Sequence, residues 1–151
     1  VNDIESLVEG ILKQCQFMLE EKKVEVKLKL KTPLSFICDA SRLNIILSNI
    51  LSNSIKYTDD AKEKNSIEIE GCIENKILKM SIKDNGVGIV AEELDKVAEM
   101  FYYNKQQNKG TGLGLYIVNE TIHKLGGKLS IDSVFGGSTT VSFSIPEGKL
   151  S

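Results

Sequence analysis

At the start of the chain the apolar residues fall at Ile4, Leu7, Val8, Ile11, Leu12, Cys15, Met18 and Leu19. Spacings of three and four place them on one side of an amphipathic helix, with Glu and Lys on the outer side. The period then shortens: Val24, Val26, Leu28 and Leu30 alternate with charged residues, as in a strand with one buried face. Thr32-Pro33 breaks the alternation, and Leu34 to Cys38 predicts a short second strand. Asp39 or Ser41 can cap the next helix, which runs to about Tyr57 with Leu43, Ile46, Leu47, Ile50 and Ile55 apolar.

Ser66 to Glu70 and Ile77 to Lys83 again alternate, around Glu74-Asn75-Lys76, which predicts a hairpin. Beyond Asp84-Asn85-Gly86-Val87-Gly88 come a polar, mostly helical segment from Glu92 to Met100 and a basic, amide-rich loop from Asn104 to Lys109. Gly112 to Leu125 has Leu115, Ile117, Val118, Ile122 and Leu125 apolar and stops at Gly126-Gly127, as helices do. Leu129 to Val134, a Gly136-Gly137 turn and Thr139 to Ile145 form a closing hairpin, ended by Pro146. Helices alternate with runs of strands, which predicts one mixed sheet with helices on one face, an α+β sandwich.

Composition narrows the class without naming it. The 151 residues suffice for one domain with its own core. The chain is 41% hydrophobic and 26% charged, with a net charge of −2, which speaks against a nucleic-acid face built on bulk charge. Cys15, Cys38 and Cys72 are far apart and odd in number, the pattern of buried thiols rather than a metal site or a disulfide framework. No apolar run approaches the ~20 residues of a membrane-spanning helix.

Three clusters could carry chemistry. Asn49, Asn53, Lys56 and Tyr57 share one face of the second long helix. Amides inside a helix need partners, and an Asn oxygen suits a hard cation, although a solvated face is an equally simple reading. Asp84-x-Gly86-x-Gly88 stands where a strand ends: Asp can accept from an exocyclic amine while the glycines let a ring approach, or Asp can simply cap a turn. Lys109-Gly110-Thr111-Gly112-Leu113-Gly114-Leu115 opens a helix and can present bare N–H groups to a phosphate. Alone, its glycine pattern arises by chance in about 5% of chains this long; the three clusters together, in this order, do not have that weakness.

Together these residues resemble the ATP-binding domain of sensor histidine kinases, of the GHKL family that also includes gyrase-type topoisomerases, MutL and the anti-sigma-factor kinases. Asp39 to Thr58 is similar to the family's N box, Asp84 to Gly88 to its G1 motif, Gly110 to Gly114 to G2, and Gly136 to Thr140 to the terminal glycine–threonine motif. The resemblance covers nearly the whole chain. It implies the Bergerat fold: a two-layer α+β sandwich with a mixed sheet of about five strands, three main helices on one face, and a mobile ATP lid from about Val90 to Lys109.

The resemblance also implies roles. Asn53 would hold Mg²⁺ with support from Asn49, Lys56 would contact phosphate, and Tyr57 would lie against the nucleotide. Asp84 would bind the adenine amino group, with Gly86, Gly88 and Ile89 shaping the pocket. Gly110, Thr111, Gly112, Leu113, Gly114 and Leu115 would line the phosphates, with Lys105 and Lys109 offered from the lid, and Phe101 and Thr140 complete the set. The lid departs from the family pattern, with Ala98 where a second phenylalanine is usual and Tyr103 where a basic residue is; in the terminal motif Ser138 stands where a second glycine is common.

Asn49 stands where the ATP-hydrolysing branches of the family carry a glutamate. An amide cannot accept a proton from water, so the resemblance implies a site that passes on the γ-phosphoryl group rather than hydrolysing ATP. The expected function is that of a protein-histidine kinase catalytic domain, spanning 1–151 as a piece of a longer, cytoplasmic or membrane-anchored protein. Its expected partners are the dimerisation/His-phosphotransfer domain of the parent kinase and a response regulator receiver domain, with no nucleic acid, the domain itself being monomeric. The alternative is a degenerate, non-catalytic nucleotide-binding module of the same fold. His123 is followed by Lys124 instead of an acid and reads as an ordinary helix residue, so the chain alone is expected to bind Mg-ATP without phosphorylating itself.

Overall fold

Helix α3, Ala40–Lys56, is the element against which the other layers pack. Of the two capping residues open to it, Asp39 closes the helix: its carboxylate accepts from the Ser41 N–H at 3.0 Å and the Arg42 N–H at 3.3 Å. Leu43, Ile46, Leu47, Ile50, Leu51, Ser54 and Ile55 are buried. Truncating one of these aliphatic residues to Ala should cost about 2–5 kcal/mol. This computed structural model describes residues 2–31, 35–56, 58, 62, 64–87, 111–134 and 137–148, with the backbone alone at 2, 111–115 and 134.

The single helix predicted at the start is two: α1, Ile4–Gln14, capped by Asp3, and α2, Gln16–Glu21. Cys15, at φ −91 and ψ 1, lies outside helical geometry and separates them. The apolar spacing runs through the break because Leu12, Cys15, Met18 and Leu19 all pack on the same core. A two-residue strand β1, Asn2–Asp3, pairs antiparallel with β3, Ser35–Phe36, as a ladder apart from the main sheet. That ladder is the described part of the short strand predicted from Leu34 to Cys38.

The main sheet contains β2 (Val24–Leu30), β4 (Asn65–Glu74), β5 (Ile77–Asp84), β6 (Lys128–Val134) and β7 (Ser138–Pro146). Their order is β2-β4-β5-β7-β6, with β2 parallel to β4 and the other pairs antiparallel. Ile67 and Ile69, Leu78, Met80 and Ile82, and Val141, Phe143 and Ile145 form the inner face, covered by α1, α3 and α4 (Thr111–Lys124). The alternate positions face outward, as a period of two requires. The β4–β5 hairpin turns at Asn75 and Lys76, with φ of 51 and 62, the left-handed pair that a tight hairpin uses.

Two glycines explain where elements extend or stop. Strand β4 runs past Glu70 through Gly71, where a Cβ would sit 3.0 Å from Leu30 Cδ2. Helix α4 ends at Gly126 (φ 78), whose N–H donates to His123 at 3.0 Å, while the Gly127 N–H donates to Ile122 at 2.9 Å. A Cβ on Gly127 would meet the Ser144 carbonyl at 2.1 Å, so only glycine lets α4 turn tightly onto β7. Cys15, Cys38 and Cys72 are half-buried thiols outside any disulfide, where the sequence suggested buried ones. Among the described residues no helix is long and apolar enough to cross a membrane.

Candidate nucleotide-binding site

Asp84 is the last residue of β5 and is only 6% exposed. Its burial follows from register: it faces inward with Ile82 and lies between Ile67 on β4 and Thr139 on β7. The Gly86 N–H donates to its Oδ1 at 2.9 Å, and the Ser54 hydroxyl on α3 donates to the same carboxylate group. Burial pushes the Asp84 pKa above the ordinary carboxylate range, while Gly86, Ser54 and the positive charge of Lys62 act in the opposite direction. Among the described residues only Gly86 and Ser54 donate to this desolvated carboxylate, which leaves it acceptor capacity for another N–H from a ligand.

The turn after Asp84 is fixed from two sides. Asn85 Oδ1 accepts from the Ser66 N–H at 2.8 Å, and its Nδ2 donates to the Lys64 carbonyl at 2.8 Å. Lys62 donates to the carbonyls of Asn85, Gly86 and Gly137. Thr139 is buried beside this turn, and its hydroxyl is hydrogen-bonded to Ser133 at 2.9 Å.

Ser54 follows Asn53, so its bond to Asp84 brings the amide-bearing turn of α3 to the end of β5. Asn53 Nδ2 is buried with no hydrogen-bond partner among the described residues, and so is Thr58 Oγ1. A buried amide in that state suits a group supplied from outside the chain. Asn49 differs: its Nδ2 donates to the Ile45 carbonyl at 2.7 Å, which leaves only its oxygen for a ligand. Lys56 is exposed at the end of the same helix.

The register moves one expected residue. Thr140 pairs with Lys83 on the outer face, whereas Thr139 pairs with Asp84 on the inner one. A shift of one residue reverses the face in a strand, so Thr139 and not Thr140 accompanies Asp84. Gly86 is buried, and its N–H donates to Asp84. The glycine stretch does open a helix, since α4 starts at Thr111; Gly112, Leu113, Gly114 and Leu115 follow in its first turns, described as backbone alone. Tyr57, Gly88, Ile89, Phe101, Lys105, Lys109 and Gly110, with the lid from Val90 to Lys109, lie outside the described residues. Sequence reading passed over Ser54, Lys62 and Thr139; only the G-x-x-T-T repetition hinted at the last.

Residues 38–149 match the family model for the histidine kinase-, DNA gyrase B- and HSP90-like ATPases. The chain belongs to this family. Cyanobacterial phytochrome B of Nostoc is 31% identical over 150 residues, which is 96% of this chain and 19% of that protein. The sensor histidine kinase WalK of Bacillus subtilis is 35% identical over 112 residues, 72% of this chain and 18% of WalK. The chain thus spans about a fifth of the length of these relatives.

The fold is that of histidine kinase catalytic domains, the Bergerat fold. The nucleotide-free catalytic domain of the histidine kinase ThkA superposes with a TM-score of 0.83 at 23% identity, over 97% of this chain and 93% of that one. Full-length ShkA in complex with AMPPNP gives a TM-score of 0.83 at 24% identity, over 99% of this chain and 31% of that one. The histidine-kinase-type domain therefore has the mixed five-stranded sheet and the helical layer that the resemblance implied.

Proposed function

We propose that this domain binds Mg-ATP between the amide-bearing face of α3 and the end of β5, and transfers the γ-phosphoryl group to a histidine on a separate dimerisation domain. The observation that carries the reading is Asp84: a buried carboxylate, oriented by Gly86 and Ser54, at the end of a central strand in an ATPase-family fold. One carboxylate oxygen holds the turn and the group retains capacity for the 6-amino group of adenine. The AMPPNP complex of the structurally similar ShkA supports nucleotide occupancy of this fold.

The side-chain oxygens of Asn53 and Asn49 would face a hydrated cation on the phosphates, and the buried, unpartnered Nδ2 of Asn53 would be free to donate to a phosphate oxygen or to a water on that cation. Mg²⁺ held there would neutralise charge on the phosphate oxygens. Lys56 would add positive charge from the helix end, and the N-terminus of α4, opened by the glycine stretch, would offer N–H groups to the phosphates. Tyr57, Gly88, Ile89, Phe101, Lys105, Lys109 and Gly110 would complete the enclosure.

The transfer needs mainly positioning. A ring nitrogen of the acceptor histidine forms a bond to the γ-phosphorus as the bond to the bridging oxygen breaks, and ADP departs with that oxygen's electron pair. Asn49 cannot serve as a base toward water, which favours transfer over hydrolysis. A response regulator receiver domain would take the phosphoryl group next, in the cytoplasm.

The test supplies a dimeric hairpin bearing the acceptor histidine, in cis or in trans, together with labelled ATP. Acid-labile, base-stable phosphate should appear on the hairpin and not on this chain. ATP binding without phosphohistidine would instead assign a non-catalytic nucleotide module, a reading that Ala98 and Tyr103 in the lid favour.

A further inference from the structure

Lys62 lies in the connection between α3 and β4, and nothing in the sequence motifs gives it a task. Its ammonium donates to three backbone carbonyls: Asn85, Gly86 at 3.1 Å and Gly137 at 2.9 Å. An ammonium has three N–H bonds and no acceptor, so these three carbonyls satisfy it. They come from two separate turns. Asn85 and Gly86 belong to the turn that places an N–H on Asp84, and Gly137 precedes the strand that carries Thr139 opposite Asp84.

We propose that Lys62 is a positioning and base-specificity residue: it locks the Asp84–Gly86 turn to the Gly137–Thr139 turn, so that the pocket accepts a purine with a 6-amino group. The inference rests on the ATP-binding reading above. The lock acts on the pocket wall in two ways. It keeps the Gly86 N–H on Asp84 Oδ1, which turns the rest of the carboxylate toward the ligand side, and it ties the Gly137 carbonyl, two residues before Thr139, to that turn. Asn85 anchors the same turn to the start of β4 through the Ser66 N–H and the Lys64 carbonyl, so Lys62 supplies the remaining tie, toward β7.

The charge matters as well as the bonds. Asp84 is faced by Ser54 from α3, Ile67 from β4 and Thr139 from β7, none of them charged. Among the described residues Lys62 is the charged group that bears on it, and it favours the ionised, acceptor form. That form accepts the N–H of a 6-amino group but has no proton to give to a 6-oxo group. An Arg in its place would present a planar fork, which does not match three converging carbonyls.

The experiment compares affinities for ATP and for inosine triphosphate, which carries oxygen in place of the 6-amino group. The chain, Lys62→Met, Lys62→Arg and the contrast variant Asn53→Ala would be titrated with both nucleotides by calorimetry. The unaltered chain should prefer ATP. Lys62→Met should lose ATP affinity by about tenfold, the scale of one charge-assisted hydrogen bond, with little change for inosine triphosphate, so that the preference collapses. Lys62→Arg should not restore it, whereas Asn53→Ala should weaken both nucleotides together.

An unaltered ATP-to-inosine-triphosphate ratio in Lys62→Met, whether or not both affinities fall, overturns the proposal. If Lys62→Met does not fold, Lys62→Gln, which keeps two N–H donors without the charge, takes its place with the same expected collapse. Unfolding of both variants would overturn the proposal in favour of a purely architectural tie. An unaltered chain that binds neither nucleotide would instead sink the ATP-binding reading itself, so the two failures are distinguishable.

Discussion

The hydroxyl of Ser54 on α3 donates a hydrogen bond to the carboxylate of Asp84 at the end of β5. Through it the helical layer and the sheet meet at a polar point inside an otherwise apolar interface of Ile50, Leu51, Ile55, Ile67 and Ile82. Buried polar contacts of this kind add little to stability, because desolvation offsets most of the attraction. Their value here is geometric. The same contact joins the turn of α3 that carries Asn53 to the end of β5.

Burial without full compensation makes Asp84 a strained group. Its folded pKa lies above its unfolded value, so the stability it contributes is present at low pH and lost as pH rises through the folded pKa. Once ionised, the group therefore destabilises the fold. Asp84→Asn should raise the melting temperature of the nucleotide-free domain at pH 7, by about 2–4 °C for each kcal/mol recovered, while ATP affinity falls at least tenfold. Thermal melting and calorimetry read the two effects; a lower melting temperature would contradict the assignment of strain.

The same shift sets a pH dependence for recognition. As pH falls through the raised pKa, Asp84 gains a proton and ceases to be an ionised acceptor. The preference for ATP over inosine triphosphate should therefore decline on acidification, beginning above the ~3.9 of an ordinary aspartate. Expressing the result as a ratio cancels the titration of the triphosphate, common to both ligands. A ratio flat down to that value would show that Asp84 does not read the base.

Asn53 carries a buried Nδ2 without a partner among the described residues, a state that costs about 1–3 kcal/mol. Asn53→Ala should consequently leave the nucleotide-free domain at least as stable as before. Its ATP affinity should become the same in Mg²⁺ and in EDTA, whereas the unaltered domain binds more tightly with Mg²⁺. A persistent Mg²⁺ effect in the variant would remove Asn53 from the cation site.

Gly127 serves architecture alone. An added methyl would meet the Ser144 carbonyl at 2.1 Å and Ile145 Cγ2 at 2.7 Å, neither of which can yield without moving β7. Gly127→Ala should destabilise the domain by about 1–3 kcal/mol or more, read by denaturant titration, without changing the nucleotide affinity of the folded fraction. A neutral effect would mean that the α4–β6 connection can shift as a unit.

The chain's local patterns determined its elements and its class. The periods at Leu43 to Ile55 and Val24 to Leu30, the breaks at Thr32-Pro33 and Gly126-Gly127, and the spacing of Asn49, Asn53, Asp84 and the glycine motifs depend on neighbours in sequence, so they can be read there. The split of the first helix at Cys15 could not, because Leu12, Cys15, Met18 and Leu19 pack against the same core on both sides of the break and keep one period.

What tertiary structure decided concerns partners distant along the chain. Only the pairing of β5 with β7 shows that Thr139 shares a face with Asp84 while Thr140 points away, since register is set by the whole sheet and its covered side. Only folding brings Ser54 to Asp84, or Lys62 to carbonyls 23, 24 and 75 residues further on. A lysine in a polar connection carries no mark in the sequence, because its ligands are backbone carbonyls, which every residue possesses and only tertiary structure assembles.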